Sequence, residues 1–319
     1  MSKSIVATFY RFVRFSDPAA VRESIRRSTK EAGSRGTVLV AEEGINGTVS
    51  GNRDAIDRVL SAVRSLPGCA GIRHRESLAE EDPFRRMKVR LKREIVTMGR
   101  PDVEPLVSTG QRVSPCDWKE VIEDDGVVIV DTRNTYEVEV GTFPGAINPG
   151  IESFSEFPAW WKANRDRFED KRIAMFCTGG IRCEKSTSLV LGDGFGDVFQ
   201  LDGGILGYLE ATPPEDNLWR GECFVFDHRV SVGPGLERGS YELCFSCRRP
   251  VSAAERASPH YEEGVSCPSC IGSSDNVRLE GLRERQRQVE LARNRGYAHF
   301  GSESQPARAG GKRQKMVQP

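Results

Sequence analysis

The stretch CTGGIRCEK at residues 177–185 decides the fold of the central part of the chain. A largely apolar run, Lys171–Phe176, predicts a strand that delivers Cys177; two glycines allow a tight turn, and a helix follows. Backbone N–H groups in such a turn converge on an anion, and a helix start adds partial positive charge. Arg182 and Lys185 add two full charges. Because all these features favour a thiolate, we predict that Cys177 is a nucleophile of low pKa.

The loop also supplies the predicted partners of this thiolate. The expected backbone donors are the N–H groups of Thr178, Gly179, Gly180 and Ile181, and Arg182 is expected to stabilise the negative charge. The alternative is an inert, buried cysteine before a glycine-rich turn.

A second thiol, Cys183, follows the first by six residues. It is a candidate resolving thiol, which would convert a sulfenic acid or persulfide on Cys177 into a disulfide. The alternative is that it packs beneath the loop as a small apolar side chain.

Short apolar runs surround the loop and are typical of buried parallel strands. They lie at Val127–Val130, Lys171–Phe176 and Val198–Leu201, and helical stretches separate them. This order predicts an α/β domain whose functional groups lie at the carboxyl ends of the strands.

Four residues separate Cys177 from Arg182, one fewer than in cysteine phosphatase loops, so the cradle suits a persulfide sulfur or small anion. The loop resembles that of rhodanese domains. Three further segments share this resemblance: Asp131-Thr132-Arg133, GTFPGAIN at 141–148 and LDGG at 201–204. The resemblance implies a rhodanese domain over residues 106–228 and a structural ion pair between Asp131 and Arg133.

The sequence pattern of the first 105 residues predicts a separate domain of alternating strands and helices. Asp17 and Asn52 are predicted helix N-caps, and Asn46-Gly47 is predicted to form a tight turn between strands. The expected elements follow the β-α-β-β-α-β order of ferredoxin-like, acylphosphatase-like domains, with strands near Ile72 and at 84–95. We therefore predict a ferredoxin-like domain over 1–105.

One strand of this domain carries cations on alternate residues: Arg86, Lys88, Arg90 and Lys92. Strand geometry places them on one face, roughly 7 Å apart. They are either a solvated sheet face or, because like charges on one face repel each other, a surface for RNA phosphates. The domain is thus a candidate nucleic-acid-binding unit, and Lys185 beside the cysteine loop is a further candidate RNA contact.

Two C-x2-C pairs mark a third segment over residues 229–300. Cys244, Cys247, Cys267 and Cys270 have the spacing of a structural four-thiolate zinc site, with 19 residues between the pairs. A pair of disulfides and an iron–sulfur cluster are the alternatives. The sequence predicts a basic helix at residues 278–295 and a disordered basic tail at residues 301–319.

The formal net charge is zero, but the charge is unevenly distributed. Residues 1–105 carry a net +6, residues 106–271 carry −11 and residues 272–319 carry +5. Basic segments at both ends indicate a nucleic-acid partner, and we expect them to fold together around the cysteine loop. No apolar run approaches the about 20 residues that span a bilayer, and the thiol pattern indicates a reducing compartment. We therefore expect a cytoplasmic protein without membrane association.

Taken together, these segments resemble the rhodanese-related tRNA uridine(34) hydroxylases. The most specific are AEEGINGT at 41–48, AMFCTGGIRCEK at 174–185, DGGIL at 202–206 and GVSCP at 264–268. The resemblance implies an oxidoreductase that uses O₂ to hydroxylate the wobble uridine of the tRNA anticodon loop to 5-hydroxyuridine, with Cys177 essential. The sequence carries no recognisable flavin, haem or nucleotide motif, so it does not identify the electron donor.

Two alternatives remain open from the sequence. The rhodanese loop alone would make the protein a sulfurtransferase that carries a persulfide on Cys177. A non-catalytic RNA-binding module with a vestigial loop is the second alternative.

Overall fold

The N-terminal part of the chain forms a five-stranded sheet with two helices on one face. The computed structural model describes residues 3–295, except for the Arg293 side chain. The sheet order is β4-β1-β3-β2-β5, antiparallel except that β5 runs parallel to β2. Its elements are β1 (Ser4–Phe12), α1 (Pro18–Glu31), β2 (Arg35–Ala41), β3 (Gly44–Gly51), α2 (Arg53–Arg64), β4 (His74–Ala79) and β5 (Met87–Leu91). The first six elements have the predicted ferredoxin-like order, and β5 is an additional edge strand.

Both helices begin at the predicted N-caps. The Asp17 carboxylate accepts a hydrogen bond from the Ala20 N–H, and the Asn52 side chain accepts one from the Ala55 N–H, each at 2.9 Å. Such caps satisfy backbone donors that the first helical turn leaves unpaired. One face of each helix then packs on the sheet, with Ile25 of α1 fully buried.

The predicted turn at Asn46-Gly47 is wrong. These residues lie inside β3, and the β2–β3 turn is at Glu42-Glu43. A Cβ on Gly47 would come within 2.8 Å of the Phe9 ring, so the glycine is required by core packing. The expected strand at 84–95 is also shorter, since only Met87–Leu91 pairs with β2.

The central part of the chain is built on a parallel sheet in the order β6-β10-β9-β7. Alternate residues of β9 face opposite sides: Ile173 and Met175 contact one apolar cluster, and Ala174 and Phe176 contact another. This three-layer α/β arrangement confirms the predicted fold class. Its elements are β6 (Gln111–Val113), α3 (Trp118–Ile122), β7 (Val127–Asp131), α4 (Thr135–Val138), β8 (Gly141–Thr142), α5 (Phe157–Asn164), β9 (Arg172–Phe176), α6 (Ile181–Gly192), β10 (Val198–Leu201) and α7 (Gly204–Ala211).

The remaining described residues form short two-stranded units and one long helix. They comprise β11 (Arg220–Gly221), β12 (Cys223–Phe224), β13 (Ser231–Val232), β14 (Glu242–Leu243), β15 (Pro250–Val251), α8 (Ala253–Arg256) and α9 (Asn276–Asn294). The predicted basic helix corresponds to α9, whereas the predicted tail at 301–319 lies outside the described residues. None of the described helices is both long and apolar enough to cross a membrane.

The N-terminal sheet packs against the central domain through its second face. Alternation along β1 buries Phe9 among the helices and turns Tyr10 to the opposite face, towards the cysteine loop. A bidentate ion pair between Arg73 and Asp202, at 2.7 and 2.8 Å, joins the two domains. The fold therefore places the N-terminal sheet beside the residues predicted to be catalytic.

Candidate active site and metal-binding cluster

Cys177 lies at the carboxyl end of β9, as predicted, and its loop is held by hydrogen bonds from two sides. The Gly180 N–H donates to Cys177 Sγ at 3.1 Å. From the start of α7, the N–H groups of Ile205 and Leu206 donate to the carbonyl oxygens of Cys177 and Thr178, at 2.9 and 3.0 Å. The loop is thus fixed both at its thiol and along its backbone.

Glycine at position 204 allows α7 to approach the loop this closely. A Cβ there would come within 2.4 Å of the Cys177 carbonyl oxygen and 2.7 Å of the Gly180 nitrogen. Its backbone φ of +63° is also a conformation that favours glycine. The LDGG segment therefore shapes the cysteine loop from outside it.

The environment of Cys177 lowers the pKa of its thiol to about 6. Burial is the largest influence and acts in the opposite direction, because it destabilises the thiolate. A hydrogen bond from the Cys183 thiol, the charge of Arg182 and the backbone N–H groups of Cys183 and Arg182 together outweigh it. At neutral pH Cys177 is therefore mostly a thiolate, the form that acts as a nucleophile.

The thiolate's partners differ in part from those predicted. Of the four expected backbone donors, Gly180 donates to Sγ, while the amides of Arg182 and Cys183, which were not predicted, also stabilise the thiolate. Cys183 is fully buried, and its own thiol pKa is raised by burial and by the neighbouring Cys177. It is therefore a neutral thiol hydrogen-bonded to a charged one.

Arg182 is paired with a carboxylate that the sequence did not single out, Glu137 of α4. Two guanidinium nitrogens donate to the Glu137 oxygens at 2.6 and 2.7 Å, and one also donates to Thr178 Oγ1 at 3.1 Å. Both charged groups are buried, and Arg182 keeps the pKa of Glu137 below its usual range despite burial. One sequence pattern could have identified Glu137: it lies three residues after Asn134, which is the spacing of a capping box at the start of a helix.

The structure buries Lys185, the candidate RNA contact beside the loop, instead of exposing it to a ligand. Its side chain is 1% exposed, and its ammonium group binds two carboxylates, Glu43 at 2.8 Å and Glu94 at 2.6 Å. It joins α6 to the N-terminal domain and to the segment that connects the domains. Because both carboxylates pair with its ammonium group, Lys185 does not stabilise the Cys177 thiolate or offer a free charge to phosphates.

Asp131 and Arg133 form a fully buried ion pair beside the loop. The guanidinium donates to both carboxylate oxygens, at 2.8 and 2.5 Å, and two further hydrogens bind the carbonyls of Glu137 and Gly141. Through these two carbonyls, the pair ties the end of β7 to α4 and β8. The ion pair therefore holds the backbone around the cysteine loop in place.

A second buried network reaches the loop from the N-terminal domain and was not predicted. The Tyr10 hydroxyl donates to Glu184 of α6 at 3.0 Å and lies 3.0 Å from where a Cβ on Gly180 would be. Glu184 also accepts from Thr109 and is bound by Arg112. Burial and the charge of Glu184 raise the pKa of Tyr10, so its phenol stays protonated.

An interdomain cavity of about 440 Å³ opens beside this network. Gly179 of the cysteine loop lines it, together with Tyr10, Glu184 and the cations Arg11, Arg73 and Arg112. Cys177 itself has no exposed surface. The cavity thus reaches the edge of the loop, with Sγ behind it.

The four cysteines of the C-x2-C pairs come together as one cluster. Their Sγ atoms all lie within 4.8 Å of one another, and the nearest pairs are 3.7 to 3.8 Å apart. Four thiolates at the about 2.3 Å zinc–sulfur distance of a tetrahedral site would be separated by about 3.8 Å. The residues Cys244, Cys247, Cys267 and Cys270 therefore fit a tetrahedral metal ion with no open position.

The predicted cationic strand face is present on β5. Arg86, Arg90 and Lys92 are exposed, Lys88 is half-buried, and none of the four forms an ion pair within residues 3–295. Met87 and Val89 pack on the other side, against the core. We call these four cations the strand face.

Three further arginines meet next to the strand face. The guanidinium carbons of Arg85, Arg248 and Arg285 lie 5.7, 5.7 and 5.3 Å from the ring centre of Phe245. They come from the N-terminal domain, the metal-binding segment and α9, and we call them the arginine cluster. Arg248 and Arg86 also lower the pKa of Lys88, after burial. The two basic ends of the chain are therefore adjacent.

Two known protein families match this architecture. Residues 4–95 match the UPF0176 acylphosphatase like domain, and residues 114–211 match the rhodanese-like domain. The first match coincides with the ferredoxin-like sheet, and the second with the parallel sheet that carries Cys177.

Relatives similar over almost the whole chain carry a common name. Proteins named tRNA uridine(34) hydroxylase from Roseobacter denitrificans, Jannaschia sp. and Ruegeria pomeroyi are 53%, 51% and 54% identical to this chain. The alignments cover 92%, 93% and 92% of this chain and 99%, 99% and 98% of the relatives. With its rhodanese-type cysteine loop, N-terminal acylphosphatase-like sheet and four-cysteine cluster, the chain belongs to the tRNA uridine(34) hydroxylase family.

Proposed function

We propose that this protein hydroxylates C5 of the wobble uridine (U34) of tRNA to give 5-hydroxyuridine, with O₂ as co-substrate. The observation that carries the proposal is the Cys177 thiol, whose pKa of about 6 makes it a nucleophile at neutral pH, in a chain of this family. The names of the relatives favour hydroxylation over sulfur transfer and over RNA binding alone.

In the proposed reaction the Cys177 thiolate adds to C6 of uracil. The addition makes C5 electron-rich, so that C5 accepts one oxygen atom from O₂; the other atom leaves as water. Two electrons and two protons for that water come from an external reductant. Loss of the C5 proton and of the thiolate then restores the aromatic ring and the enzyme. The Gly180 N–H and Arg182, which stabilise the thiolate, favour its departure.

Access to Cys177 requires movement around the loop, because the residue has no exposed surface. An unpaired anticodon-loop base can be splayed out of its stack at low cost. We place its entry at the interdomain cavity, which Gly179 lines and where Arg11, which forms no ion pair within residues 3–295, suits a flanking phosphate.

The strand face and the arginine cluster are the proposed phosphate-binding surface. Arg86, Lys88, Arg90 and Lys92 lack carboxylate partners in the described part of the chain, and the arginine cluster extends this surface onto α9. Counterions released from tRNA on contact would supply sequence-independent affinity.

We assign zinc to the four-cysteine cluster, because four thiolates at tetrahedral spacing suit this metal. A metal site closed by four protein ligands stabilises the fold around it. Phe245 lies between the ligands Cys244 and Cys247, and Arg248 follows Cys247, so the site would fix the positions of both residues. The reduced thiols fit a cytoplasmic location. We retain units at 1–105, 106–228 and 229–300 as the domain division.

The test compares the full-length protein with Cys177→Ser, each incubated with unmodified tRNA and a reductant, in air and under nitrogen. Mass spectrometry of the digested nucleosides should show 5-hydroxyuridine only with the wild-type protein in air. Product from Cys177→Ser, or product under nitrogen, would contradict the proposal. A parallel incubation with thiosulfate and cyanide distinguishes sulfur transfer, which needs no O₂.

A further inference from the structure

Phe226 is an apolar side chain that the fold leaves in solvent. Its side chain is 66% exposed, and it is the only phenylalanine or tryptophan among the exposed large apolar residues between positions 3 and 295. Single exposed apolar residues are common on protein surfaces, so the surroundings of Phe226 decide whether it has a role.

The loop that displays Phe226 is held firmly. Asp227 and Arg229, both buried, form a bidentate ion pair, and Arg229 also donates to Ser77 Oγ of the N-terminal domain at 2.7 Å. The His228 N–H donates to the Pro83 carbonyl at 3.0 Å. Because both domains anchor the loop, the exposed ring is presented in a fixed position.

The ring also stands next to the cysteine loop. Its centre lies 6.0 Å from the guanidinium carbon of Arg182, and the ring packs edge-on against the buried Phe224 at 5.1 Å. Even with these two neighbours, 66% of the side chain remains exposed. A fixed aromatic face beside an active site is the arrangement that single-stranded RNA binders use to stack bases.

The charge around the ring favours RNA over an apolar protein partner. His228, two residues from Phe226, is close enough to Arg85 and Arg248 for their charges to lower its pKa, after burial. The arginine cluster thus begins beside the loop that carries Phe226. A nucleic-acid strand whose phosphates contact the cluster can place a base on the ring.

We propose that Phe226 is a stacking platform for an unpaired base of the RNA anticodon loop, adjacent to the base that reaches Cys177. This inference rests on the proposed function for the identity of the RNA. It predicts that Phe226 contributes binding energy without contributing charge.

The first experiment uses Phe226→Trp as a reporter. Three of the four native tryptophans, Trp118, Trp161 and Trp219, are buried, so the new indole should dominate any change caused by ligand. A synthetic anticodon stem-loop should quench its fluorescence by stacking, and a blunt duplex of the same stem should not. Leu78→Trp, at a position 57% exposed on β4, is the matched control and should respond to neither RNA.

The second experiment measures affinity and turnover. Phe226→Ala should weaken stem-loop binding by about 5- to 100-fold, while Phe226→Trp should retain wild-type affinity. The salt dependence of binding should be unchanged in Phe226→Ala, because no counterion-releasing contact is lost. An unchanged midpoint near pH 6 for Cys177 alkylation would show that the loop is intact.

The outcomes separate the two proposals. Wild-type affinity and turnover in Phe226→Ala, or equal quenching by the duplex, would overturn the stacking role alone. Stem-loop binding that depends on Phe226, but without hydroxylation by the wild-type protein, would overturn the proposed function alone. Failure of the wild-type protein to bind the stem-loop would overturn both.

Discussion

The chain contains two groups of cysteines that the fold treats in opposite ways. In the loop at the end of β9, Cys177 has one thiol neighbour, a backbone N–H on its sulfur and a guanidinium nearby. In the C-terminal segment, four Sγ atoms lie within 4.8 Å of one another. The first arrangement stabilises one negative charge, whereas the second brings together four groups that are stable as thiolates only around a cation.

This difference separates a reactive thiol from structural ones. A single thiolate satisfied by N–H donors keeps a lone pair for attack, and its pKa of about 6 keeps it charged at neutral pH. Thiolates bound to a metal have committed their lone pairs to the ligand bonds. The two groups should therefore respond independently to substitution.

The largest expected effect is on the metal cluster. If the cluster binds zinc as proposed, Cys267→Ser should abolish metal binding and unfold the C-terminal segment, because structural zinc contributes on the order of 10 kcal/mol of folding free energy. Metal content by elemental analysis should fall from one ion per chain to near zero, and hydrogen exchange should increase around residues 240–275. Cys116→Ser, at an exposed cysteine outside both groups, is the control.

In the same Cys267→Ser protein, the midpoint of Cys177 alkylation should stay near pH 6. A shifted midpoint would show that the four-cysteine cluster influences Cys177, which would contradict the independence of the two groups.

The next largest effect concerns the ion pair beneath the cysteine loop. Glu137→Gln leaves the buried Arg182 without its carboxylate and should lower the free energy of unfolding by about 3–5 kcal/mol. Urea denaturation of the full-length protein, carried out in the presence of zinc, measures the change. Glu152→Gln removes a carboxylate from an exposed pair with Arg249 and should cost about 0–1 kcal/mol. Equal losses from the two variants would contradict the framework role of Glu137.

Features that depend on residues close together in the sequence could be predicted from local sequence patterns. The cysteine loop, the two C-x2-C pairs and the N-caps at Asp17 and Asn52 are short segments whose residues interact with near neighbours. Their geometry is largely set by backbone conformation and donor spacing, so a single sequence suffices to recognise them. The arrangement of the N-terminal helices and strands followed from the same kind of evidence.

Contacts between distant segments could not be predicted in this way. The partners of Lys185 are Glu43 and Glu94, which lie 142 and 91 residues away along the chain. Nothing local distinguishes a lysine that binds phosphate from one that will be buried by another domain. The Asn46-Gly47 turn failed for a related reason, because packing against Phe9 outweighed its local turn preference.

A smaller effect distinguishes the roles of the two loop thiols. Because the Cys183 thiol hydrogen-bonds to the Cys177 thiolate, Cys183→Ala should move the midpoint of Cys177 alkylation from about pH 6 to a higher pH, by about one pH unit. The thiolate is the reacting form, so the rate at pH 6 falls while the rate well above both midpoints is unchanged.

Iodoacetamide labelling followed by trypsin digestion measures this effect directly. Cleavage after Arg172 and Arg182 releases a peptide, residues 173–182, in which Cys177 is the only cysteine. A midpoint that does not move in Cys183→Ala would mean that the neighbouring thiol only fills space, which was the alternative open from the sequence. Cys223→Ala, at a buried cysteine outside the loop, is the matched control.

The smallest effect tests whether the strand face binds phosphates or only water. Arg90→Ala removes one exposed cation that lacks an ion pair within residues 3–295 and should weaken tRNA binding a few-fold. If Arg90 contacts a phosphate, the slope of log affinity against log salt should also fall by about one. Lys162→Ala removes an exposed cation from α5 in the acidic central domain and should change neither quantity. Identical slopes for the two variants would assign the strand face to solvent, and the affinity would then have to come from the arginine cluster and the interdomain cavity.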